Sequence, residues 1–426
     1  MAYYPRCNVV IDVLLEDFAG GASGDLLTIV TTPRSLEWTA DHHRSADTFS
    51  MELDYKDLPL DSRLARSIRV MVLCGDTGDS DGKLDPANPD HRAFVGFVDA
   101  PETTLDGSSE TIRLEGRDYT CLFLDRTWAE GGFSIDERLS VLVDTILQHT
   151  PGAEDIPVTY SAGAADALPA VALGKAWFTP QPDDDTWTVL VQLCGLVGLL
   201  PVIRGDTLEI RSPNAFGSRS VEFRYGVDVE RLSFKRKFQE ATTRQIRVVA
   251  WNPATRTSSE AVYPTTPIVT RRKVSAQGKV TSETAPEIRY PIEGAYTPAE
   301  LLGIAQGFYE EAARREVEGV LVTRELRDIT GAAVPMLANG DTLGIRLAAN
   351  LPNIAGLSKG EAVALLTGAR WGLPAGIADQ LVSAWVKAEG LASTFYVRQV
   401  RHRWEIGRGY SAEIAFNNFI VAGGTG

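Results

Sequence analysis

Thr111–Trp128 reads TIRLEGRDYTCLFLDRTW, and the rest of the chain is organised around it. Ile112 and Leu114 alternate with Arg113 and Glu115, the two-residue period of a strand with one wet face, and Gly116 breaks that pattern. The strand is expected to end there. Tyr119, Leu122 and Phe123 then fall at three- and four-residue spacing, so the chain should leave as a short helix with Asp118 in its first turn.

Upstream of this corner the text is strand after strand. Cys7–Leu15, Ser35–Ala40, Thr48–Leu53, Ser67–Leu73 and Ala93–Val98 are short and apolar, rich in β-branched and aromatic residues, and separated by Gly, Asp, Pro and Ser. That pattern predicts an antiparallel sandwich or barrel. The loop Gly75–Asp90 is dense in acids and turn formers and should project between two strands.

Downstream, Ser134 and Glu137 have the spacing of a capping box before an apolar face of Leu139, Leu142, Val143, Ile146 and Leu147. Asp185 should cap a second helix, Trp187–Leu199, which leads through Pro201 into Val202–Ile210, where Gly205-Asp206 is a turn between two apolar runs. This predicts a small α+β domain. Strand text returns at Val221–Tyr225, Val229–Lys235 and Gln245–Trp251, and the charged, Pro-rich span Asn252–Pro291 reads as a long hairpin or loop excursion. Thr297-Pro-Ala-Glu300 opens a helix with a cap, a proline at its first position and an acid three residues on, and Gly319 is expected to stop it. Strands should resume at Val320–Leu326 and Gly344–Ala348. Ser358–Ala388 is helical text, with a capping box at Ser358 and Glu361 and a stripe of Ile377, Leu381, Ala384, Trp385 and Ala388. Phe395–Arg403 and Tyr410–Ile420 read as closing strands.

The fold class expected is mainly β with α+β insertions. Its divisions are a first barrel at 1–125, a small α+β domain at 126–219, a second barrel at 220–350 and 391–426, and a helical insertion at 351–390. No βαβ rhythm points to a doubly wound nucleotide fold. At 426 residues the chain exceeds what one core usually serves, and 44% apolar with 23% charged residues is an ordinary globular composition.

Formal charge is -14, which disfavours a general affinity for nucleic acid or anionic membrane. Its distribution says more than its sum. Residues 1–125 hold 23 acidic and 11 basic side chains, a net of -12, while Phe234–Lys273 holds 9 basic and 2 acidic, a net of +7. Such polarity suits head-to-tail contact between copies, although two ordinary solvated faces would read the same. Cys7, Cys74, Cys121 and Cys194 form no C-x-x-C pair and are expected to be buried thiols of a reducing cytoplasm. No signal peptide is expected at the N-terminus, and the longest apolar stretch, Val189–Ile203, is too short to span a bilayer.

The Gly116-Arg-Asp118 corner and the hairpin VIRGDTLEI at Val202–Ile210 occur in order with the aromatic-led strand from Phe223 and the basic run and strand Phe234–Ala250. The capped helix Thr297–Glu318 and the turn Asn339-Gly-Asp341 complete the set. This series resembles phage baseplate hub proteins, the late control protein D family, over most of residues 1–350 and 391–426; the Ser358–Ala388 helices are a departure. The resemblance implies two tail-tube-like barrels per chain and a homotrimer whose six barrels form a pseudo-sixfold ring. Such a ring would join a hexameric tail tube or distal tail protein to a trimeric central spike, with DNA only passing through the channel. It implies assembly in the host cytoplasm, residence in the virion baseplate, no cofactor and no membrane insertion.

No catalytic, cofactor-binding or metal residues are nominated. Asp41-His42-His43 are adjacent in a strand and point to opposite faces, so they cannot readily chelate one ion. Thr77-Gly-Asp79-Ser-Asp81-Gly82 resembles a calcium loop but has Thr77 and Asn88 where carboxylates belong, and a solvated hairpin tip is the simpler reading. Gly20–Asp25 is a Gly-rich run without a following Lys, and Arg204-Gly-Asp206 is a turn. Phe234-Lys-Arg-Lys-Phe238 interleaves cations with aromatics, which fits either a nucleic-acid strand or a basic face at a subunit contact. The alternative function is a tail-associated peptidoglycan hydrolase, and a third reading is a carbohydrate-binding β-sandwich.

Overall fold

The computed structural model describes residues 6–15, 26–40, 46–58, 65–75, 84–88, 91–106, 109–170, 177–211, 219–225, 228–236, 245–252, 256–265, 270–274, 279–284, 287–293, 296–314, 317–338, 341–347, 363–364, 367, 374–379 and 394–418. The fold is mainly β. In the first strand-rich region β1 (Arg6–Leu15) lies between β2 (Leu26–Thr31) and β5 (Ala65–Gly75). The order continues through β6 (Arg92–Asp106), β7 (Ser109–Asp118) and β4 (Thr48–Asp54) to β3 (Ser35–Ala40), with every neighbour antiparallel. The two ends of this path, β2 and β3, are consecutive in sequence, joined by Thr32-Pro33-Arg34. Six strand spacings would set them roughly 29 Å apart in a flat sheet, whereas a three-residue link reaches about 14 Å. The sheet is therefore rolled.

Burial explains why β1 and β5 read as unbroken apolar runs. Val9, Ile11, Val70 and Val72 point into the main core, while Val10, Met71 and Leu73 meet Val95 and the half-buried Tyr119 on the opposite face. Both faces are covered.

A second rolled region repeats the device. The path β14 (Arg231–Arg236), β20 (Val317–Thr323), β23 (Gly409–Asn418), β22 (Thr394–Glu405), β21 (Thr342–Leu347), β13 (Ser220–Tyr225) again ends on two strands consecutive in sequence. Here β13 and β21 run parallel, a departure from a wholly antiparallel sheet. The two regions are joined at β22. Its first residues, Thr394–Tyr396, pair with β21, and Val400–Glu405 pair with β3, so the strand order runs from one region into the other. One hydrophobic core, from Val9 and Trp38 to Leu321 and Phe416, runs through both.

Between them lies the mixed unit, with α1 (Cys121–Leu124), α2 (Leu139–Gln148), α3 (Thr186–Leu196), the pair β8 (Phe133–Ser134) and β10 (Trp177–Phe178), and the sheet β11 (Leu200–Arg204), β12 (Thr207–Arg211), β9 (Val158–Tyr160). It has its own core, which includes Phe123, Leu142, Trp187, Leu190 and Leu208. The buried face of α2 is the one expected, but its cap is not: Arg138 holds the N-cap position, and Ser134 is in β8, paired with Trp177. For α3 the expectation holds, with Asp185 Oδ1 accepting from the Thr188 amide at 2.7 Å.

The span expected to be a long hairpin or loop excursion does hold a hairpin, but within a folded unit. β15 (Gln245–Asn252) pairs antiparallel with β16 (Thr257–Tyr263) and parallel with β19 (Glu287–Glu293), and β17 (Thr270–Val274) with β18 (Val280–Thr284) forms a hairpin. Leu301 and Ala305 of α4 (Pro298–Arg314) pack on Ile246, Val248 and Ala250. Gly319 does not stop that helix, because β20 already begins at Val317. A Cβ at Gly319 would run into the Phe416 ring of the paired strand, and close packing is what requires glycine there. Of Ser358–Ala388, helix is described at 363–364, 367 and 375–379, where Ile377, the one described residue of the expected stripe, is half exposed and its neighbour Ala378 is buried. The remainder of that segment, with its capping box, lies outside the described residues.

Candidate functional site

Three polar junctions hold the regions together, and the Gly116 corner is the first. The strand does not end at Gly116; β7 continues through Asp118, and Gly116 sits between Phe49 of β4 and Val98 of β6. A Cβ there would overlap the Phe97 carbonyl oxygen and lie 2.7 Å from the Phe49 ring, so the glycine permits close strand approach. Arg117 then grips two carboxylates. Its Nε and Nη2 donate to Asp99 at 2.7 and 2.8 Å, and its Nη1 and Nη2 donate to Asp125 at 2.9 and 2.7 Å. These bonds hold the Asp125 carboxyl below its usual range. Asp118 is buried at the end of the strand, outside any helix, where its carboxylate accepts from the amide and hydroxyl of Thr120 at 3.1 Å each. Burial pushes its pKa up to about 7 against those bonds.

The second junction is the β11–β12 hairpin, whose Arg204-Gly205-Asp206 turn has Gly205 at φ +58°. Its charged residues reach in two directions. Asp206 Oδ2 accepts from Arg92 of β6 at 2.6 Å, and Arg204 Nη2 donates to Asp341 at 3.0 Å. Asp341 is fully buried just before β21, and its other oxygen accepts from the Ala338 amide at 2.9 Å. The tripeptide thus ties the mixed unit to the first rolled region through one side chain and to the second through the other.

The third is the β3–β22 seam. On its wet face Glu37 accepts from Arg401 Nε at 2.5 Å and Arg403 Nε at 2.6 Å, beside a shallow groove of about 500 Å³ that Arg113 and Trp404 also line. Partial burial would raise the Glu37 pKa, but the two guanidinium groups hold it below its usual value. On the buried face Trp38 stacks on His402, whose Nδ1 lies 2.6 Å from the Tyr410 hydroxyl and whose Nε2 lies 3.2 Å from the Leu337 carbonyl. A carbonyl only accepts, so Nε2 carries the proton and Nδ1 accepts from Tyr410. Burial holds the His402 pKa down to about 3.

Of the stretches singled out in the sequence, Asp41-His42-His43, Thr77–Gly82 and Gly20–Asp25 lie outside the described residues, as do Asn339 and Gly340 of the expected turn. The first three residues of Phe234–Phe238 lie in β14, the outer strand of the sheet path. Among the described residues there is no group of three His, Cys, Asp or Glu that could hold a metal ion. Among them, too, no helix is long and apolar enough to cross a membrane. In sequence Arg204-Gly-Asp206 reads as a plain turn and Glu37 and His402 carry no signal, because Arg92, Asp341, Arg401, Arg403 and the Trp38 ring that meet them lie 114 to 366 residues away in the chain.

No family model matches the chain, and no curated protein resembles it in sequence. Solved structures do match its backbone. The tail protein from Neisseria meningitidis MC58 superposes with a TM-score of 0.58 at 12% identity, covering 96% of each chain. The 43 kDa tail protein of prophage MuSo2 from Shewanella oneidensis gives 0.55 at 12% identity, over 97% of this chain and 98% of that one. The chain has a phage tail-protein fold. Within this fold the unit with α2 and α3 lies between the two rolled regions in sequence, and side-chain and strand contacts at the three junctions connect them.

Proposed function

We propose that the protein is a non-enzymatic structural component of a phage tail or a phage-derived injection machine: a homotrimeric baseplate hub. Residues 1–125 and 220–350 with 391–426 act as tail-tube-like barrels, 126–219 as the spacer and 351–390 as an insertion. Three copies present six barrels to a hexameric tail tube on one side and a threefold arrangement to a central spike on the other, around a channel through which DNA passes. The observation that carries this reading is the pairing of β3 with β22, which places two rolled sheets in one chain as a single sheet path and core.

Copies would meet through the outer strands. At one end of the path β2 exposes Leu26, Leu27 and Val30; at the other, β14 belongs to the basic segment, the charge complement of the acidic first region. Mass photometry and class-averaged electron micrographs of the purified chain test this. A three-copy ring with a central hole supports it, and a monomer at every concentration overturns it. A cleared band in a cell-wall zymogram would instead favour the hydrolase.

A further inference from the structure

Cys7 and Cys74, 67 residues apart in sequence, are register partners in the antiparallel β1–β5 pair, and their sulfur atoms are 3.4 Å apart. We propose that this pair is a modification site, a reversible cross-strand disulfide formed with a small-molecule disulfide as oxidant. The inference does not depend on the function proposed above.

The geometry is close to that of the bond. Directly opposed residues of an antiparallel pair have Cα atoms about 4.5 to 5.5 Å apart, inside the range of about 4.4 to 6.8 Å that disulfides span. The sulfurs must close by about 1.4 Å to reach bonding distance, a movement within the reach of side-chain rotation without a shift of the strands. Cys121 and Cys194, by contrast, lie on α1 and α3, with no cysteine opposite them in a strand register.

Among the described residues Arg6 and Gly75 are the one register pair beyond the cysteines on that side, and Cys74 lines a cavity of about 560 Å³ shared with Gly75, Ser220 and Ala332. Local opening at this end of the β1–β5 pair would admit the oxidant through that cavity. Cys74, as its thiolate, attacks one sulfur of glutathione disulfide and releases one glutathione. Cys7, as its thiolate, attacks the Cys74 sulfur of the mixed disulfide and releases the second. Two electrons pass from the protein to the oxidant, and the protons of Cys7 and Cys74 end on two glutathione molecules. Burial pushes the Cys7 thiol well above its usual pKa, so oxidation is slow and the protein is reduced as made.

The test uses the full-length chain with Cys121→Ser and Cys194→Ser, folded and incubated with glutathione disulfide at neutral pH without denaturant. Alkylation in urea followed by non-reducing peptide mapping should recover a Cys7–Cys74 cross-linked peptide. The oxidised chain should unfold at higher urea than the reduced one, and dithiothreitol should return it to the reduced midpoint. Wild-type chain treated in parallel should give the same cross-link, which covers the case in which the serine variants fail to fold. Both thiols remaining alkylatable after prolonged incubation, or a cross-link formed solely when the chain is first unfolded, would overturn the proposal.

Discussion

Trp38 and His402 lie face to face across the β3–β22 pair, ring centroids 4.7 Å apart and planes 15° from parallel. One belongs to each rolled region, so this stack is the buried centre of the seam. Trp38 is 1% exposed, and Trp38→Ala should cost about 3 to 5 kcal/mol. Urea unfolding should then show two transitions in place of one, as the regions lose their shared core; a single transition at an unchanged midpoint would contradict this.

His402 also sets a pH dependence. Its folded pKa of about 3 is far below the unfolded value of about 6.5. Between those values the unfolded chain binds the extra proton, so the histidine's contribution to stability is lost as pH falls from 6.5 towards 3. His402→Gln should lower stability at pH 7 and flatten the decline below it. The readout is the urea midpoint measured across that window.

Asp118 has the opposite sign. Its folded pKa, raised to about 7, means that the folded chain holds the extra proton between about 4 and 7, and stability from this group is lost as pH rises through that range. Asp118→Asn removes the buried charge while keeping an acceptor for the Thr120 amide. The variant should gain on wild type from about pH 4 to pH 7 and hold a level advantage above that; a constant difference across the range would show that Asp118 does not titrate there.

The Arg204–Asp341 contact joins a side chain with 15% of its surface exposed to one with none. Arg204→Met leaves Asp341 buried without that partner and should cost about 3 to 5 kcal/mol, whereas adding Asp341→Asn should recover part of the loss. A double-mutant cycle on the urea midpoint measures the coupling. Full additivity would mean that the contact holds nothing together.

Gly116→Ala drives a methyl group into the Phe97 carbonyl and the Phe49 ring, and should cost about 3 kcal/mol or more. Gly131→Ala supplies a contrast, since its added Cβ meets no atom within 4 Å and its penalty is confined to a backbone φ of +66°. Thermal melts of the two should separate crowding from backbone strain.

Alternation and burial agree well where a residue's neighbours are local. Ile112, Leu114, Ile246, Val248 and the α2 stripe are all buried as their spacing predicts. Gly116 and Gly319 resemble stops in sequence, but their role is set by atoms of neighbouring strands, the Phe97 carbonyl and Phe49 ring for one and the Phe416 ring for the other, that the sequence does not place beside them. The same limit hid the cysteine pair, whose contact depends on the β1–β5 register and not on spacing. The Arg204-Gly-Asp206 turn was legible as a turn, yet its two clamps were not, since Arg92 and Asp341 are brought to it by the packing of three units. The β15–β19 sheet was missed because its pairing is parallel and skips over the β17–β18 hairpin.

Strand β22 enters the ribosomal tunnel more than 350 residues after the strand it completes. Until then the nascent chain displays β3 with one bare row of backbone donors and acceptors, an invitation to neighbouring polypeptides. Early release at any point before Thr394 should therefore yield a sticky fragment in place of a soluble half, and native production should lean on holding chaperones.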